Sequence, residues 1–315
     1  MTSAADAPAT SASGARAGTA RFAVVGAWNA ADIPDQTGRH FVVTGANSGL
    51  GRATALALGR AGATVTLACR DVLKAQPVAR EIGTRASVRR LDLADLASVR
   101  EFAAVAGDID VLINNAGVMA PPLRRTRDGF ELQFGTNHLG HFALTGLLLD
   151  RIADRVVVLS SLAHQFGSID LVDPDYERRR YERWSAYAQS KLADLMFSFE
   201  LARRLDAAGS TVRAVAAHPG YAATALQTRN TSILNPIMEL GNRLLAQSAD
   251  DGARPSLYAA VSPDARSGGF YGPKALFGMR GAPGPSGSSR AARNTDVAAK
   301  LWTLSEDLTG VRFRI

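Results

Sequence analysis

From residue 40 onward, short runs of β-branched and apolar residues alternate with longer segments in which apolar side chains recur every three or four positions. This alternation predicts strands joined by crossover helices, the pattern of a parallel sheet. Strands are expected at 40–44, 64–69, 87–91, 111–114, 155–160 and 211–217, with a short seventh at 269–271. Most are continuously apolar, as strands covered on both faces must be. Helices are expected at 51–61, 71–82, 94–106, 131–153, 186–208 and 251–261. Pro77 falls inside the second and should kink or shorten it. Together these elements describe one doubly wound α/β domain.

Four stretches fall outside the pattern. Residues 1–20 are rich in Ala, Ser, Thr and Gly and read as a disordered tail, with neither the basic front nor the apolar block of a secretory signal. Residues 22–37 precede the first strand, and 162–185 form a long charged insertion after the fifth. Residues 281–289 are so rich in Gly, Pro and Ser that an irregular segment is expected. The division that follows is an extension over 1–36, a domain over 37–280 and a carboxyl-terminal extension over 281–315 packing on that domain.

Composition narrows the class. The 315 residues are 46% hydrophobic and 21% charged, ordinary for a soluble globular chain. No apolar run approaches the roughly 18 residues of a membrane span. The single cysteine, Cys69, excludes a disulfide scaffold and fits a reducing, cytoplasmic compartment; its expected role is that of a small apolar strand residue. The net charge of +7 is scattered, with small clusters at Arg124, Arg125 and Arg127 and at Arg178, Arg179, Arg180 and Arg183, the latter interleaved with Glu177 and Glu182. Neither carries a nucleic-acid or lipid motif, so no nucleic-acid partner is expected. The five histidines, His40, His138, His141, His164 and His218, form no metal set; His138 and His141 are expected to hydrogen-bond within helix packing.

The first strand runs directly into Thr44-Gly45-Ala46-Asn47-Ser48-Gly49-Leu50-Gly51 and a helical pattern. A glycine-rich turn from strand to helix lets the backbone approach a pyrophosphate at the positive end of the helix dipole. The second strand ends in Cys69-Arg70-Asp71. An acidic residue at that point bonds a ribose 2′-hydroxyl and selects NAD, whereas an arginine can hold a 2′-phosphate. Arg70 comes first, so NADP(H) is expected as the preferred cofactor, with NAD(H) admitted; Asp71 is expected to cap the next helix.

Tyr187 and Lys191 are four residues apart at the start of a helical segment and so share a face. An ordinary phenol is a poor acid-base catalyst at neutral pH, and an adjacent cation favours its ionised form. Taken with Gly45-x3-Gly49-x-Gly51, Asn114-Asn115-Ala116-Gly117, Asn137, Ser160-Ser161 and His218-Pro219-Gly220, this pair resembles the short-chain dehydrogenase/reductases, over roughly residues 37–262. The stretch 128–141, Ser160-Ser161-Leu162-Ala163-His164 and the long gap before Tyr187 resemble the retinol-dehydrogenase-like branch, here as a soluble bacterial member. Protochlorophyllide reductases are a nearby alternative, disfavoured because the segment around Tyr187 lacks the cysteine those enzymes use.

The resemblance implies a Rossmann-type fold with a mostly seven-stranded parallel sheet and helices on both faces. It also assigns roles. Gly45, Ser48, Gly49, Leu50 and Gly51 would form the phosphate loop, Asp92 would face the adenine, and Asn115, Ala116 and Gly117 would line the adenosine ribose side. Ser161 would bond the substrate oxygen, Tyr187 would pass the proton, and Lys191 would hold the nicotinamide ribose and favour the Tyr187 phenolate. Asn137 would position a relay water, and Pro219, Gly220 and Thr224 would pack on the nicotinamide. Phe166, Tyr181, Trp184, Tyr221, Ile233, Leu234, Ile237, Met238, Leu240, Leu244 and Leu245 are candidates to line the substrate cleft, with a lid around 221–250 and a small lipophilic alcohol or carbonyl as substrate.

The resemblance further implies a homodimer through 131–153 and 186–208, unless 281–315 covers that surface. The rival to an enzyme is a non-catalytic dinucleotide sensor with a partner-binding surface. A sensor has no use for Ser161, Tyr187, Lys191 and Asn137 together, which favours the enzyme.

Overall fold

The apolar runs become the centre of one sheet. A computed structural model describes residues 28–220 and 248–315; the tail over 1–20, the lid around 221–250 up to residue 247, and the named residues Tyr221, Thr224, Ile233, Leu234, Ile237, Met238, Leu240, Leu244 and Leu245 lie outside the described residues. In chain order the elements are β1 (His40–Thr44), α1 (Gly49–Arg60), β2 (Thr64–Cys69), α2 (Val72–Ile82), β3 (Ala86–Arg90), α3 (Leu96–Val105), β4 (Ile109–Asn114), α4 (Gly140–Leu148), β5 (Ile152–Leu159), α5 (Arg183–Ala207), β6 (Arg213–Ala217), α6 (Ala249–Val261), β7 (Phe270–Ala275), β8 (Arg280–Pro285) and α7 (Thr295–Thr309). The strand order is β3-β2-β1-β4-β5-β6-β7-β8. The first seven run parallel and β8 is antiparallel to β7.

Helices cover both faces because each strand alternates its side chains between them. Val43, Val65, Leu67 and Ile113 pack with Ala53 and Leu58 of α1, Val78 of α2 and Leu257 of α6. Val42, Leu112, Val156 and Val158 face the other way, onto Val99 and Phe102 of α3, Phe142 of α4, Phe197 of α5 and Trp302 of α7. The order reverses between β1 and β4, so their carboxyl ends splay apart and open a crevice where a doubly wound sheet binds its ligand.

Several boundaries differ from those read in the sequence. The helix expected over 131–153 runs without interruption from 132 to 151, but changes register along the way: a π-helical stretch over Phe134–Leu139, then α4, then a 3-10 turn over Leu149–Arg151, after which β5 begins at Ile152. The chain turns early because Arg151 is tied by Nη1 to the carbonyls of Ala103 and Ala106 at the end of α3. Residues 280–285 are a strand, where an irregular segment was expected. Pro283 and Pro285 lack a backbone N–H, which an edge strand tolerates. Pro77 leaves α2 intact from Val72 to Ile82, on its exposed face. The final helix, α7, lies within the carboxyl-terminal extension and is bounded by an Asn294 side chain capping Val297 N and by Gly310 closing it at φ 64°.

The charged insertion is built rather than loose. The Asp173 carboxylate accepts hydrogen bonds from the backbone N–H groups of Glu177, Arg178 and Arg179. Arg179 stacks on the Tyr176 ring at 3.6 Å and donates to Gln189 Oε1 of α5 at 2.8 Å. At the other end, α7 lays Trp302 against Phe142, Phe197 and Phe313, and so covers part of α4 and α5.

Candidate active site

The glycine turn forms one wall of the crevice. Gly45 sits at φ +68°, and its N–H is held by the Ala68 carbonyl at 2.8 Å. A Cβ at Gly51 would strike the Gly45 carbonyl oxygen and Asn115 Nδ2, so α1 can start this close to the strand ends only with glycine there. The opposite wall is the β4 end. Asn115 N and Ala116 N both donate to Thr44 Oγ1 at 2.9 Å, and Asn115 Nδ2 donates to the Thr44 carbonyl at 2.7 Å.

Behind this wall stands His141. Its Nδ1 lies 2.7 Å from the Asn137 carbonyl, which can only accept, so Nδ1 carries the proton and Nε2 accepts from Thr44 Oγ1 at 2.9 Å. Burial lowers the His141 pKa to about 3 and keeps the ring neutral, as that chain of donors requires. Thr44 and His141 thus lock the turn to the β4 end, a role that neither spacing nor composition announced.

The walls enclose a cleft of about 330 Å³. Gly45, Ser48, Gly49, Leu50, Gly51, Arg70, Asp92, Asn115, Ala116 and Gly117 all line it. So do Asn47, Asp71, Lys74, Leu91, Leu93, Val118 and Thr136, which sequence reasoning did not assign to a cofactor. Two buried atoms beside the cleft, Asn115 Oδ1 and Thr136 Oγ1, have no hydrogen-bond partner among the described residues. A glycine cradle at a helix start, two basic side chains and unpaired polar atoms fit a dinucleotide. Arg70 and Lys74 stand at the β2 end, the position of the adenosine ribose in this fold. Asp71 is engaged elsewhere: Oδ1 accepts from Lys74 N at 3.2 Å, capping α2, and Oδ2 pairs with Lys74 Nζ at 2.9 Å. Asp92 lines the cleft while its Oδ1 caps Ala94 N at 3.0 Å. Cys69, fully buried, has its thiol pushed up to about 11 by burial, which suits an inert strand residue.

The second group of residues lies where β5 meets α5. Lys191 Nζ donates to the Leu159 carbonyl at 2.9 Å, and Ser160 Oγ donates to the Lys191 carbonyl at 2.7 Å. These two bonds stitch the β5 end, and with it Ser161, to the turn of α5 that bears Tyr187 and Lys191. Ser160 is buried and committed, whereas Ser161 is half-exposed and its Oγ serves only the Ala163 N–H, at 3.2 Å, among the described residues. Tyr187 is half-buried one turn before Lys191, beside Trp184 at 6.4 Å between rings. A side chain at Gly117 would meet Asn137 Oδ1 at 3.2 Å and Lys191 Nζ at 3.7 Å, so this group borders the cleft.

Asn137 is fully buried, and its side chain clamps its neighbours. Nδ2 donates to the Val118 carbonyl and to Ser190 Oγ, and Oδ1 accepts from Val118 N. Both amide protons are therefore spent on protein atoms, which makes Asn137 a brace between the cleft floor and α5. Pro219 and Gly220 follow β6; Gly220, at φ +70°, donates its N–H to His218 Nδ1 at 3.2 Å. His218 Nε2 meets Ser286 Oγ, while His164 joins the Ser161 carbonyl to Ser289 N, so the segment after β8 is pinned to both loops.

Of the expected substrate-lining residues, Phe166 is 85% exposed and Trp184 is exposed. Tyr181 is not free to line a cleft: its hydroxyl donates toward the Pro121 carbonyl and Glu131 Oε1 and accepts from Gln133 Nε2. Among the described residues no cluster of three metal-ligating side chains occurs, and no helix is long and apolar enough to cross a membrane.

The comparisons with known proteins agree with this geometry. The short chain dehydrogenase family model matches residues 39–234. Human retinol dehydrogenase 13 is 43% identical over 304 residues, covering 89% of this chain and 86% of the relative. Mouse retinol dehydrogenase 12 is 42% identical over 291 residues, covering 88% of each. Among solved structures, an uncharacterized protein from Mycobacterium paratuberculosis superposes with a TM-score of 0.81 at 51% identity, over 91% of this chain and 99% of that one. A protein described as an NAD(P) dependent gluconate 5-dehydrogenase from Beutenbergia cavernae, with bound NADP, superposes at 0.58 with 28% identity, over 75% and 96%. The chain belongs to the short-chain dehydrogenase/reductase family, in its retinol-dehydrogenase-like branch, and is an NAD(P)-dependent oxidoreductase of CH–OH groups.

Proposed function

We propose that this enzyme interconverts an alcohol and an aldehyde or ketone on a lipophilic small molecule, with NADP(H) preferred over NAD(H), in the cytoplasm. The observation that carries the chemistry is the stitching of the β5 end to α5, which gathers Ser161, Tyr187 and Lys191 beside the cleft. Bound in the cleft, the nicotinamide supplies or accepts the hydride. Ser161 Oγ donates a hydrogen bond to the substrate oxygen. In reduction Tyr187 gives its phenolic proton to that oxygen as the carbinol forms, and in oxidation it takes the proton back. Lys191 holds the nicotinamide ribose hydroxyls and favours the phenolate, while Asn137 braces Val118 and Ser190 on either side. Pro219, Gly220 and Thr224 are the residues that would pack on the nicotinamide.

The preference for NADP(H) rests on charge. Arg70 makes no ion pair with a described residue and lines the cleft together with Lys74, whereas the carboxylate that could take a 2′-hydroxyl, Asp71, is spent on Lys74 and the α2 cap. At the β2 end a 2′-phosphate meets the Arg70 guanidinium, with Lys74 beside it, whereas the Asp71 carboxylate that a 2′-hydroxyl would use is already engaged. The lipophilic substrate is supported by the relatives named for retinol, a lipophilic alcohol.

The test is oxidation of NADPH and of NADH by the purified protein across aldehydes and ketones of rising hydrophobicity. Expected is turnover that is faster with NADPH and rises with the apolar size of the substrate. Equal rates with the two cofactors would remove the charge argument, and faster turnover of small polar carbonyls would remove the lipophilic one.

A further inference from the structure

Lys191 is buried, and one carboxylate faces it. Asp194, one turn further along α5, brings Oδ2 to 2.8 Å from Lys191 Nζ, and only 2% of the Asp194 side chain is exposed. With the Leu159 carbonyl this accounts for two of the three ammonium protons. The other carboxylate oxygen, Oδ1, is buried and lies 3.9 Å from His138 Nδ1, and neither atom has a hydrogen-bond partner among the described residues. Ser305 Oγ gives its proton to the Leu301 carbonyl at 2.7 Å, so it accepts from His138 Nε2–H, and Nδ1 is left as a bare acceptor.

The charges around Lys191 can be enumerated. Tyr187 lies one turn earlier on the same helix, and His138 and His141 on the neighbouring helical segment are kept neutral, each lowered to about 3 by burial. Among the described residues Asp194 supplies the only carboxylate that pairs with the ammonium. Burial on its own would drive the lysine toward its neutral form, and the Asp194 charge, joined by Tyr187 and by the Asp194 hydrogen bond, outweighs it, leaving the Lys191 pKa raised. Burial likewise raises Asp194, to about 6, so the carboxylate is ionised at neutral pH.

We propose that Asp194 is a positioning residue for the cofactor: its carboxylate keeps the buried Lys191 protonated and holds its ammonium against the Leu159 carbonyl, with one proton left for the nicotinamide ribose. This rests on the reading of Lys191 as the ribose-holding group. Without Asp194 the desolvated lysine loses its proton at far lower pH, and its grip on the ribose weakens as it does.

The experiment measures NADPH affinity by fluorescence titration across the neutral to alkaline range, for wild type, Asp194→Asn, Lys191→Met and Asp194→Asn/Lys191→Met. In Asp194→Asn the affinity should fall by about tenfold between about pH 7 and about pH 9, a loss that wild type does not show and that the double variant abolishes. A purely structural role would lower affinity evenly with pH. An Asp194→Asn profile parallel to wild type, with Lys191→Met binding weakly, overturns the proposal alone. Unchanged NADPH affinity in Lys191→Met overturns both it and the ribose assignment. Asp194→Ser is the second neutral variant, and failure of both to give a cooperative melt would make the carboxylate a folding requirement and overturn the proposal.

Discussion

Arg70 and Asp71 are adjacent in the chain and answer to different forces. Arg70 faces the cleft, and Asp71 is drawn down onto the α2 amino terminus and Lys74. Replacing Arg70 with Ala should therefore raise the KM for NADPH by about 10- to 100-fold, the scale of one charge-assisted pair, and change that for NADH little; steady-state kinetics with both cofactors measures it. At this scale the glycines that line the cleft and the Tyr187–Lys191 pair were legible from local rules of spacing, and the serine pair only from its resemblance to the family's motif. Thr44 and His141 were not, since what makes them matter is an approach across 71 to 97 positions of chain; nor was Asp194, whose charge matters only on burial, nor Lys74, which reaches the cleft only once α2 is set beside the β2 end. Asn137 was found by its motif, yet the structure gives it a bracing task that no motif states.

The crevice depends on how closely elements start and stop. Gly51 sets the distance between α1 and the strand ends, and Gly51→Ala should abolish measurable NADPH binding and lower the melting temperature, through a collision with backbone that cannot yield. The Thr44 hydroxyl collects two backbone N–H groups of the β4 end, so Thr44→Val should cost about 1–3 kcal/mol in urea unfolding by leaving buried donors unmet. Strand positions were readable from their β-branched runs, and the helices between them from apolar side chains recurring every three or four positions. The helical segment over 134–151 was readable as a helix; its π-helical stretch, where the His141 ring donates to the Asn137 carbonyl, and its end, where Arg151 is bonded to α3, were not, because neither leaves a mark on the apolar spacing. For β8 the glycines and prolines argued correctly against a central strand, but an edge strand needs only part of its donors.

At the scale of the whole molecule, burial of neutral histidines ties stability to pH. Burial lowers His138 and His141 to about 3 and His218 to about 4, below the ordinary value of about 6.5. The folded state then binds fewer protons than the unfolded chain, so stability is full above about pH 6.5 and declines as pH falls. Asp194, raised to about 6, takes up a proton more readily when folded and offsets part of this. The net expected loss in urea unfolding free energy from about pH 7.5 to about pH 5.5 is about 3 kcal/mol, and no loss would mean that the histidines are not buried neutral. The same core explains the carboxyl end: α7 covers part of α4 and α5 with Trp302, so any dimer through those helices must use their remaining surface. What unites these scales is a protonation site at Tyr187 beside a cofactor cleft, and one variant addresses it directly. Tyr187→Phe should bind NADPH with wild-type affinity and melt at the wild-type temperature, with kcat for aldehyde reduction reduced by at least about 100-fold; turnover at the wild-type rate would contradict the assignment of Tyr187 as the acid-base group.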